Sequence, residues 1–209
     1  MNKENVLVAG ANGTTGRIII DLLKESKTYN PVAMVRKKEQ KEDFEKNNVS
    51  AILADLEEDL SHTTKNVQKV IFAAGSKGKN IIGVDQEGAK KLTDAAKNSG
   101  ASKFVMLSSM GADNPSVSDD LKDYLEAKQN ADEYLKSSGI DYSIVRPGSL
   151  NDDEGSGKIK LEKKFDEFGE ISRADVAKTL IEVLDDKVRH NEVFEILSGD
   201  TEIEKAVRS

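Results

Sequence analysis

The chain has 209 residues, of which 37% are hydrophobic, 33% are charged and 15 are glycine, enough apolar material for one folded domain under a densely solvated surface. Its 31 Lys and Arg against 38 Asp and Glu leave a net charge of −7, which speaks against nucleic acid or an anionic membrane surface as a partner. Cysteine is absent, which excludes a disulfide scaffold, a thiolate metal site and a cysteine nucleophile.

No apolar run is long enough to span a bilayer, and the first residues carry no apolar signal core, so a cytoplasmic protein is expected. Short apolar runs alternate with longer amphipathic segments, the pattern of βαβ units around a parallel sheet. Residues 6–9 predict a buried first strand, followed by a glycine-punctuated turn. Residues 17–26 predict a helix with Ile18, Ile19, Leu22 and Leu23 as its apolar stripe. A second strand (31–35), a charged helix (38–47), a third strand (51–54) and a fourth (70–74, closed by Gly75) come next. Residues 85–99 predict a helix that turns Ala89, Leu92, Ala95 and Ala96 inward and stops at Gly100. A fifth strand (103–107) leads to a long helix (119–138) carrying Leu121, Leu125, Ala131 and Leu135 and ending at Gly139. The sixth strand (142–145) closes at Arg146, Pro147 and Gly148.

Beyond residue 148 the pattern changes. Residues 150–157 are polar, acidic and bracketed by glycine, which predicts a mobile loop. Residues 157–168 suit a short strand or hairpin. Ser172 is placed to cap a helix with Val176, Ala177, Leu180, Ile181 and Leu184 on its inner face, and residues 193–197 supply one more strand. The expected fold is α/β, a doubly wound parallel sheet of Rossmann type forming a single domain over residues 1–209. The segment 149–209 is its small C-terminal addition, contributing a loop, a helix and a late strand.

The first turn reads Gly10-Ala11-Asn12-Gly13-Thr14-Thr15-Gly16-Arg17, a G-x-x-G-x-x-G between a strand and a helix. Glycines there permit a tight turn and close backbone approach, and the helix N-terminus offers free N–H groups and a positive dipole end to a pyrophosphate. Arg17 after Gly16 rules out a Walker A loop. An NAD site wants a carboxylate at the end of the second strand; this chain has Arg36, then Lys37 and Lys38. A guanidinium suits the extra phosphate of NADP, so NADP(H) is expected ahead of NAD. Asp55, with Leu56 beside it, stands after the third strand where an adenine is met.

Further pieces align with that turn: Ala73-Ala74-Gly75, Val84-Asp85-Gln86-Glu87-Gly88-Ala89, Leu107-Ser108-Ser109-Met110-Gly111, Tyr124 with Lys128, Arg146-Pro147-Gly148 and Ile171-Ser172-Arg173-Ala174-Asp175-Val176-Ala177. Together they make the chain resemble the atypical short-chain dehydrogenase/reductases, in the small branch of NmrA-like and flavin/biliverdin-reductase-like NAD(P)-binding proteins. The resemblance implies a cofactor site built from Gly10, Asn12, Gly13, Thr14, Thr15, Gly16, Arg17, Arg36, Lys37, Asp55, Leu56, Ala73, Ala74, Gly75, Lys128, Pro147 and Gly148. It also makes Ser109, rather than Ser108, the serine facing a substrate. Two departures stand out. Asp85 occupies a position where relatives often carry Asn, and only about 60 residues follow Gly148, fewer than extended sugar-nucleotide epimerases use to enclose a substrate.

Tyr124-Leu125-Glu126-Ala127-Lys128 is the one Tyr-x-x-x-Lys in the chain. Positions i and i+4 share a helix face, and an ammonium beside a phenol favours the phenolate. Such a pair suits proton donation to a carbonyl while hydride arrives from a nicotinamide, with Lys128 also able to reach the nicotinamide ribose. Ser109, at the end of the fifth strand, would bind the substrate oxygen. His62 and His190 read as solvent-facing, and Glu57, Glu58 and Asp59 lack metal-ligand spacing, so no metal is expected. The leading reading is an NADPH-dependent reductase of a small carbonyl, quinone or flavin-like acceptor. The alternatives are an NmrA-like sensor of NADP redox state without turnover, and a small NAD(P)-dependent epimerase or isomerase. The expected partner is a small molecule, and the protein is expected to be a monomer or weak homodimer.

Overall fold

In the computed structural model, which describes residues 3–76 and 78–209, the first strand β1 (Glu4–Ala9) is the third from one edge of a nine-stranded sheet. Its partners are β2 (Tyr29–Val35) on one side and β4 (Lys69–Phe72) on the other, both parallel. Beyond β2 lies β3 (Ser50–Leu53), and beyond β4 come β5 (Lys103–Leu107) and β6 (Tyr142–Pro147), all parallel. The chain therefore leaves β1 in one direction and returns to its other side after β3. That reversal is the topological switch point at which open α/β sheets bind ligands, outside the carboxyl ends of the strands.

Successive residues of β1 feed opposite faces: Val6 and Val8 join one apolar cluster, Leu7 and Ala9 the other, as the period of two requires. The first cluster is covered by α1 (Thr14–Glu25), by Phe44 of α2 (Lys38–Lys46), and by helices from the end of the chain. The second is covered by α3 (Ala89–Ser99) and α4 (Lys122–Ser138). With both faces buried, the strands read as nearly continuous apolar runs. The fold is the expected doubly wound α/β type, and α3 and α4 stop at Gly100 and Gly139 as predicted.

Several boundaries move, α1 among them, which begins at Thr14 rather than Arg17, and two of the shifts bear on the site. The helix expected from residue 85 begins as a π-helical stretch, Ile81–Gly88, before α3, and α4 starts at Lys122, with a short 3-10 turn (Pro115–Val117) upstream of it.

The segment after Gly148 merges into the sheet. A short strand β7 (Ser149–Asn151) pairs with β9 (Glu170–Ser172) as a separate two-stranded ribbon. Strand β10 (Glu192–Ser198) joins β6 in parallel as a seventh parallel strand, and β8 (Lys158–Glu162) runs antiparallel beside it. Two residues of β11 (Thr201–Glu202) finish that edge. Helix α5 (Arg173–Glu182), capped by Ser172, and α6 (Ile203–Arg208) complete the first cluster.

The predicted mobile loop at 150–157 needs correction. Leu150 and Asn151 lie in β7, and the buried carboxylate of Asp175 accepts the N–H groups of Ser156 (3.0 Å) and Gly157 (2.7 Å). A carboxylate with several backbone donors pins this segment to the first turn of α5. Among the described residues no helix is long and apolar enough to cross a membrane.

Candidate active site

The turn after β1 is built by crowding. Gly10 adopts φ +85°, the left-handed region that glycine alone enters freely, and a Cβ on it would lie 2.7 Å from the Ala73 carbonyl oxygen and from Ala74 Cα. A Cβ on Gly16 would lie 2.1 Å from the Gly10 carbonyl oxygen. Gly13 is different: a Cβ there meets only that same oxygen, at 3.2 Å. Gly13 is also the N-cap of α1 and gives it no side-chain cap. Among the described residues the N–H groups of Thr14, Thr15 and Gly16 find no acceptor in the chain. Uncapped donors at the positive end of a helix dipole form an anion cradle, and a side chain at Gly13 would fill it.

Two guanidiniums flank this turn and are used differently. Arg17 Nη2 donates to Asn12 Oδ1 (2.6 Å) and to Asp43 (3.3 Å), with its guanidinium 5.3 Å from the Phe44 ring centroid. Arg36, the first residue past β2, is exposed and makes no ion pair or side-chain hydrogen bond among the described residues. Lys37 is exposed beside it, its backbone N–H donating to Gln40 Oε1. Asp55 accepts the Glu57 N–H (3.1 Å), and Leu56 is buried where a Cβ on Gly88 would meet it at 2.7 Å. Ala73, Ala74 and Gly75 continue β4 alongside Gly10. An open anion cradle with an uncommitted guanidinium at the next strand end fits a pyrophosphate joined to a phosphorylated ribose.

On the other side of the switch point, α4 presents Tyr124, Lys128 and Asp132 one turn apart along one face. Lys128 is buried, donates to the Leu107 carbonyl at the end of β5 (3.2 Å), and lies 5.6 Å from the Tyr124 ring centroid. Its counter-charge is Asp85, equally buried, with Oδ1 3.9 Å from Nζ. Ser109 is half-buried and donates to the Met110 carbonyl (3.1 Å). The structure therefore brings Tyr124 and Lys128 together as a cation–π pair. It places Ser109 at the same strand end without a hydrogen bond to either.

Ser108 has a different task. Its hydroxyl donates to Asp132 Oδ2 (2.8 Å), which also takes Arg146 Nε (3.0 Å) and Nη2 (2.9 Å). Burial pushes the Asp132 carboxyl above the usual carboxylate range, against the pull of Arg146 and Ser108. Arg146 Nη1 stands 3.8 Å from Asp113, which pairs with Lys164 at 2.6 Å. Burial raises the Asp113 carboxyl, but the bond and charge of Lys164 and the charge of Arg146 bring it below its ordinary value. Glu195, beside Arg146 in register on β10, is pushed up by burial and accepts the Phe165 N–H (2.7 Å). This chain of alternating charges ties the loops after β5 and β8 to the ends of β6 and β10.

Pro147 and Gly148 act at the same end. The Pro147 carbonyl accepts the Met110 N–H (3.0 Å), and a Cβ on Gly148 would lie 2.2 Å from the Gly169 carbonyl oxygen. The sequence reading missed Asp132, Asp113 and Glu195, and gave Arg146 no role. One signal was available: Lys128 and Asp132 interrupt the apolar face of Leu125, Ala131 and Leu135 on a single helix. His62 and His190 are exposed as expected, and Asp152, Asp153 and Glu154 line the outside of their loop. Among the described residues no three His, Asp or Glu side chains group so as to hold a metal ion.

Residues 10–187 match the family model described as NAD(P)H-binding. The chain is 39% identical over 212 residues to the uncharacterized sugar epimerase YhfK of Bacillus subtilis, covering 97% of this chain and 98% of that one. It is 31% identical over 136 residues to sanguinarine reductase of Eschscholzia californica, covering 60% of this chain and 49% of that one. Among solved structures, a putative NAD-dependent epimerase/dehydratase from Bacillus halodurans superposes with a TM-score of 0.93 at 40% identity, covering 98% of each chain.

Proposed function

The chain belongs to the NAD(P)H-binding family, and on that premise we propose that it is an NADPH-dependent reductase of a small carbonyl, quinone or flavin-like acceptor. The observation that carries this reading is the buried Lys128 ammonium beneath the Tyr124 ring at the carboxyl end of β5. A lysine costs free energy to bury, and here it is set beside a phenol across the switch point from the anion cradle. NADPH, when bound, supplies the hydride. Tyr124 gives its proton to the carbonyl oxygen as the carbon is reduced, and the Lys128 charge stabilises the phenolate that remains until solvent returns the proton. Ser109, by turning its hydroxyl away from Met110, orients the substrate oxygen. Thr14, Thr15 and Gly16 hold the pyrophosphate through their N–H groups, and Arg36 takes the ribose phosphate.

The names of the Bacillus relatives favour a second reading, a redox-neutral epimerase. Such an enzyme must hold a sugar while both faces of one carbon are served. In this chain most of the segment after Gly148 goes into β7, β8, β9, β10, β11, α5 and α6, leaving short loops for that purpose. NADPH oxidation at 340 nm across a panel of aldehydes, quinones and flavins tests the reductase. Turnover of a nucleotide sugar without net NADPH consumption would overturn it in favour of the epimerase. Tight NADPH binding with turnover of neither class would leave the sensor.

A further inference from the structure

Exposed apolar side chains gather at one edge of the sheet. Among the described residues the large ones are Leu22, Leu53, Ile82, Val117, Leu121 and Phe168. Leu22 on α1 and Leu53 at the end of β3 stand alone, as single apolar residues on a surface ordinarily do. The other four lie in segments past the carboxyl ends of neighbouring strands, on the Lys128 side of the switch point. Ile82 follows β4, and Val117 and Leu121 lie between β5 and α4. Phe168 is brought to the end of β6 by two fixed points. Lys164 bonds Asp113 in the loop that carries Val117, and the Gly169 carbonyl accepts the Ser149 N–H (2.8 Å) just past Gly148. Phe168 is 62% exposed, whereas Phe44, Phe72, Phe104 and Phe194 are buried. Apolar side chains grouped at one mouth within a polar rim mark a surface that a ligand covers.

The charges divide the crevice. Residues 112–124, 149–156 and 163–169, the loops past β5, β6 and β8, hold nine acids and three lysines. One of those lysines, Lys164, is already paired with Asp113, while Asp119, Asp120 and Glu167 are exposed and make no ion pair among the described residues. On the other side of β1 the sign reverses, with Arg36, Lys37 and Lys38 exposed in a row past β2. We propose that the acceptor is an apolar ring compound without an anionic group. Phe168 is its specificity-determining contact, and Asp119, Asp120 and Glu167 turn anions away. This rests on the reductase reading above. The basic half draws the phosphates of the cofactor, and the acidic half keeps a phosphorylated or carboxylated acceptor from the Tyr124 end. Charges at such a mouth act through water and are screened by salt, so three together amount to about a tenfold effect at low ionic strength. The reaction balances in the usual way: NADPH gives a hydride to the ring compound, a proton follows, and NADP⁺ and the reduced acceptor leave.

Matched acceptors test this by NADPH oxidation, one pair for each acceptor class. The pairs are riboflavin with riboflavin 5′-phosphate, methyl 4-formylbenzoate with 4-formylbenzoate, and 1,2-naphthoquinone with its 4-sulfonate. In the class that is turned over, kcat/KM should favour the neutral member about tenfold at low salt, and the preference should shrink at about 0.5 M salt. Asp119→Asn, Asp120→Asn and Glu167→Gln combined should cut the neutral-to-anionic ratio about threefold or more. The intrinsic reactivities of a pair cancel when variant and wild type are compared. Phe168→Ala should raise KM for both members about fivefold with little change in kcat, and NADPH affinity by calorimetry should hold within about twofold, which also reports a folded protein. A wild-type preference for the anionic members, a ratio unmoved by the three neutral substitutions, or a KM indifferent to Phe168→Ala would each overturn the acceptor assignment and leave the reductase reading standing. Protein that binds NADPH but oxidises it with none of the six compounds would overturn both.

Discussion

Lys69 and Lys103 are register partners on β4 and β5, and both are buried at the amino edge of the sheet, the end away from the glycine turn. They are satisfied unequally. Lys69 Nζ reaches Asp186 at 2.5 Å and Ser102 Oγ at 3.2 Å, whereas Lys103 Nζ has the carbonyl oxygens of Asp185 (2.8 Å) and Val188 (2.7 Å). Together they hold the turn between α5 and β10, which is how the late strand is brought alongside β6. Burial, and then the neighbouring Lys69 charge, lower the Lys103 pKa to about 8.

Stability should therefore rise with pH above 8. In that range the unfolded chain still protonates this lysine while the folded one has released its proton, so the unfolded state binds more protons and the slope is positive. The gain through this window is on the order of 1–2 kcal/mol after allowing for solvent screening. Tyr29, raised to about 12 chiefly by burial and then by Glu4, acts in the opposite sense. Above pH 10 the unfolded phenol ionises first, and stability falls. Chemical denaturation at pH 7.5, 9, 10 and 11 should show a maximum near pH 10. In Lys103→Met the rise between 8 and 10 should vanish and the fall above 10 should remain, whatever the variant's overall stability.

Arg36→Ala should separate the two nicotinamide cofactors. Among the described residues the side chain has no partner to release, so its removal costs the fold little. Loss of a charge-assisted contact to the 2′-phosphate costs about 1.5–3 kcal/mol, which is roughly a ten- to hundredfold loss of NADP(H) affinity at moderate salt. NAD(H) affinity should stay nearly constant. Calorimetry that finds equal losses for both would remove Arg36 from the phosphate site.

The glycines of the turn should respond unequally to substitution. Gly13→Val puts a Cβ near the Gly10 oxygen alone, at 3.2 Å, needs only a slight shift from it, and blocks the cradle. The variant should melt close to wild type and lose the thermal shift given by NADPH. Gly16→Ala meets backbone at an impossible distance and should destabilise by about 1–3 kcal/mol or more, as overpacking does. A Gly13→Val protein that still gains stability with NADPH would show that the phosphates bind elsewhere.

These contrasts mark what the sequence makes visible. Alternating apolar runs give the parallel sheet, Gly100 and Gly139 stop their helices, and the glycine turn declares its spacing. Each is a local property. The π-helical stretch is not local: residues 85–99 carry an ordinary helical stripe, and the wider turn depends on Asn80 meeting Glu57 and Gln86 meeting Asn130. The loop at 150–157 looks mobile in composition because its anchor, Asp175, lies 18 and 19 residues further on. Tyr124 and Lys128 are legible as a pair from their spacing. That Lys128 faces Asp85, and that Ser108 rather than Ser109 joins Asp132, follows from strand order and from which face of α4 is buried.

The decisive comparison is between Tyr124→Phe and Lys128→Met. Tyr124→Phe removes one hydroxyl and keeps the ring over Lys128, so the fold and cofactor affinity should hold, the latter within about threefold. A positioned acid contributes about 10²–10⁴-fold to rate, so NADPH oxidation with an aldehyde or ketone should fall by at least about a hundredfold. Lys128→Met should lower both rate and NADPH affinity, since it removes the ribose donor and the charge that favours the phenolate. It also leaves Asp85 buried without its counter-charge, a change that costs about 3–5 kcal/mol when a buried pair is broken. Its melting temperature should therefore drop where that of Tyr124→Phe does not. Quinones and flavins need a separate reading, because they accept hydride without an acid from the protein; with them an unchanged Tyr124→Phe rate marks direct hydride delivery. A carbonyl substrate whose reduction is indifferent to Tyr124→Phe would remove the tyrosine from the chemistry and leave Lys128 as a cofactor-binding residue.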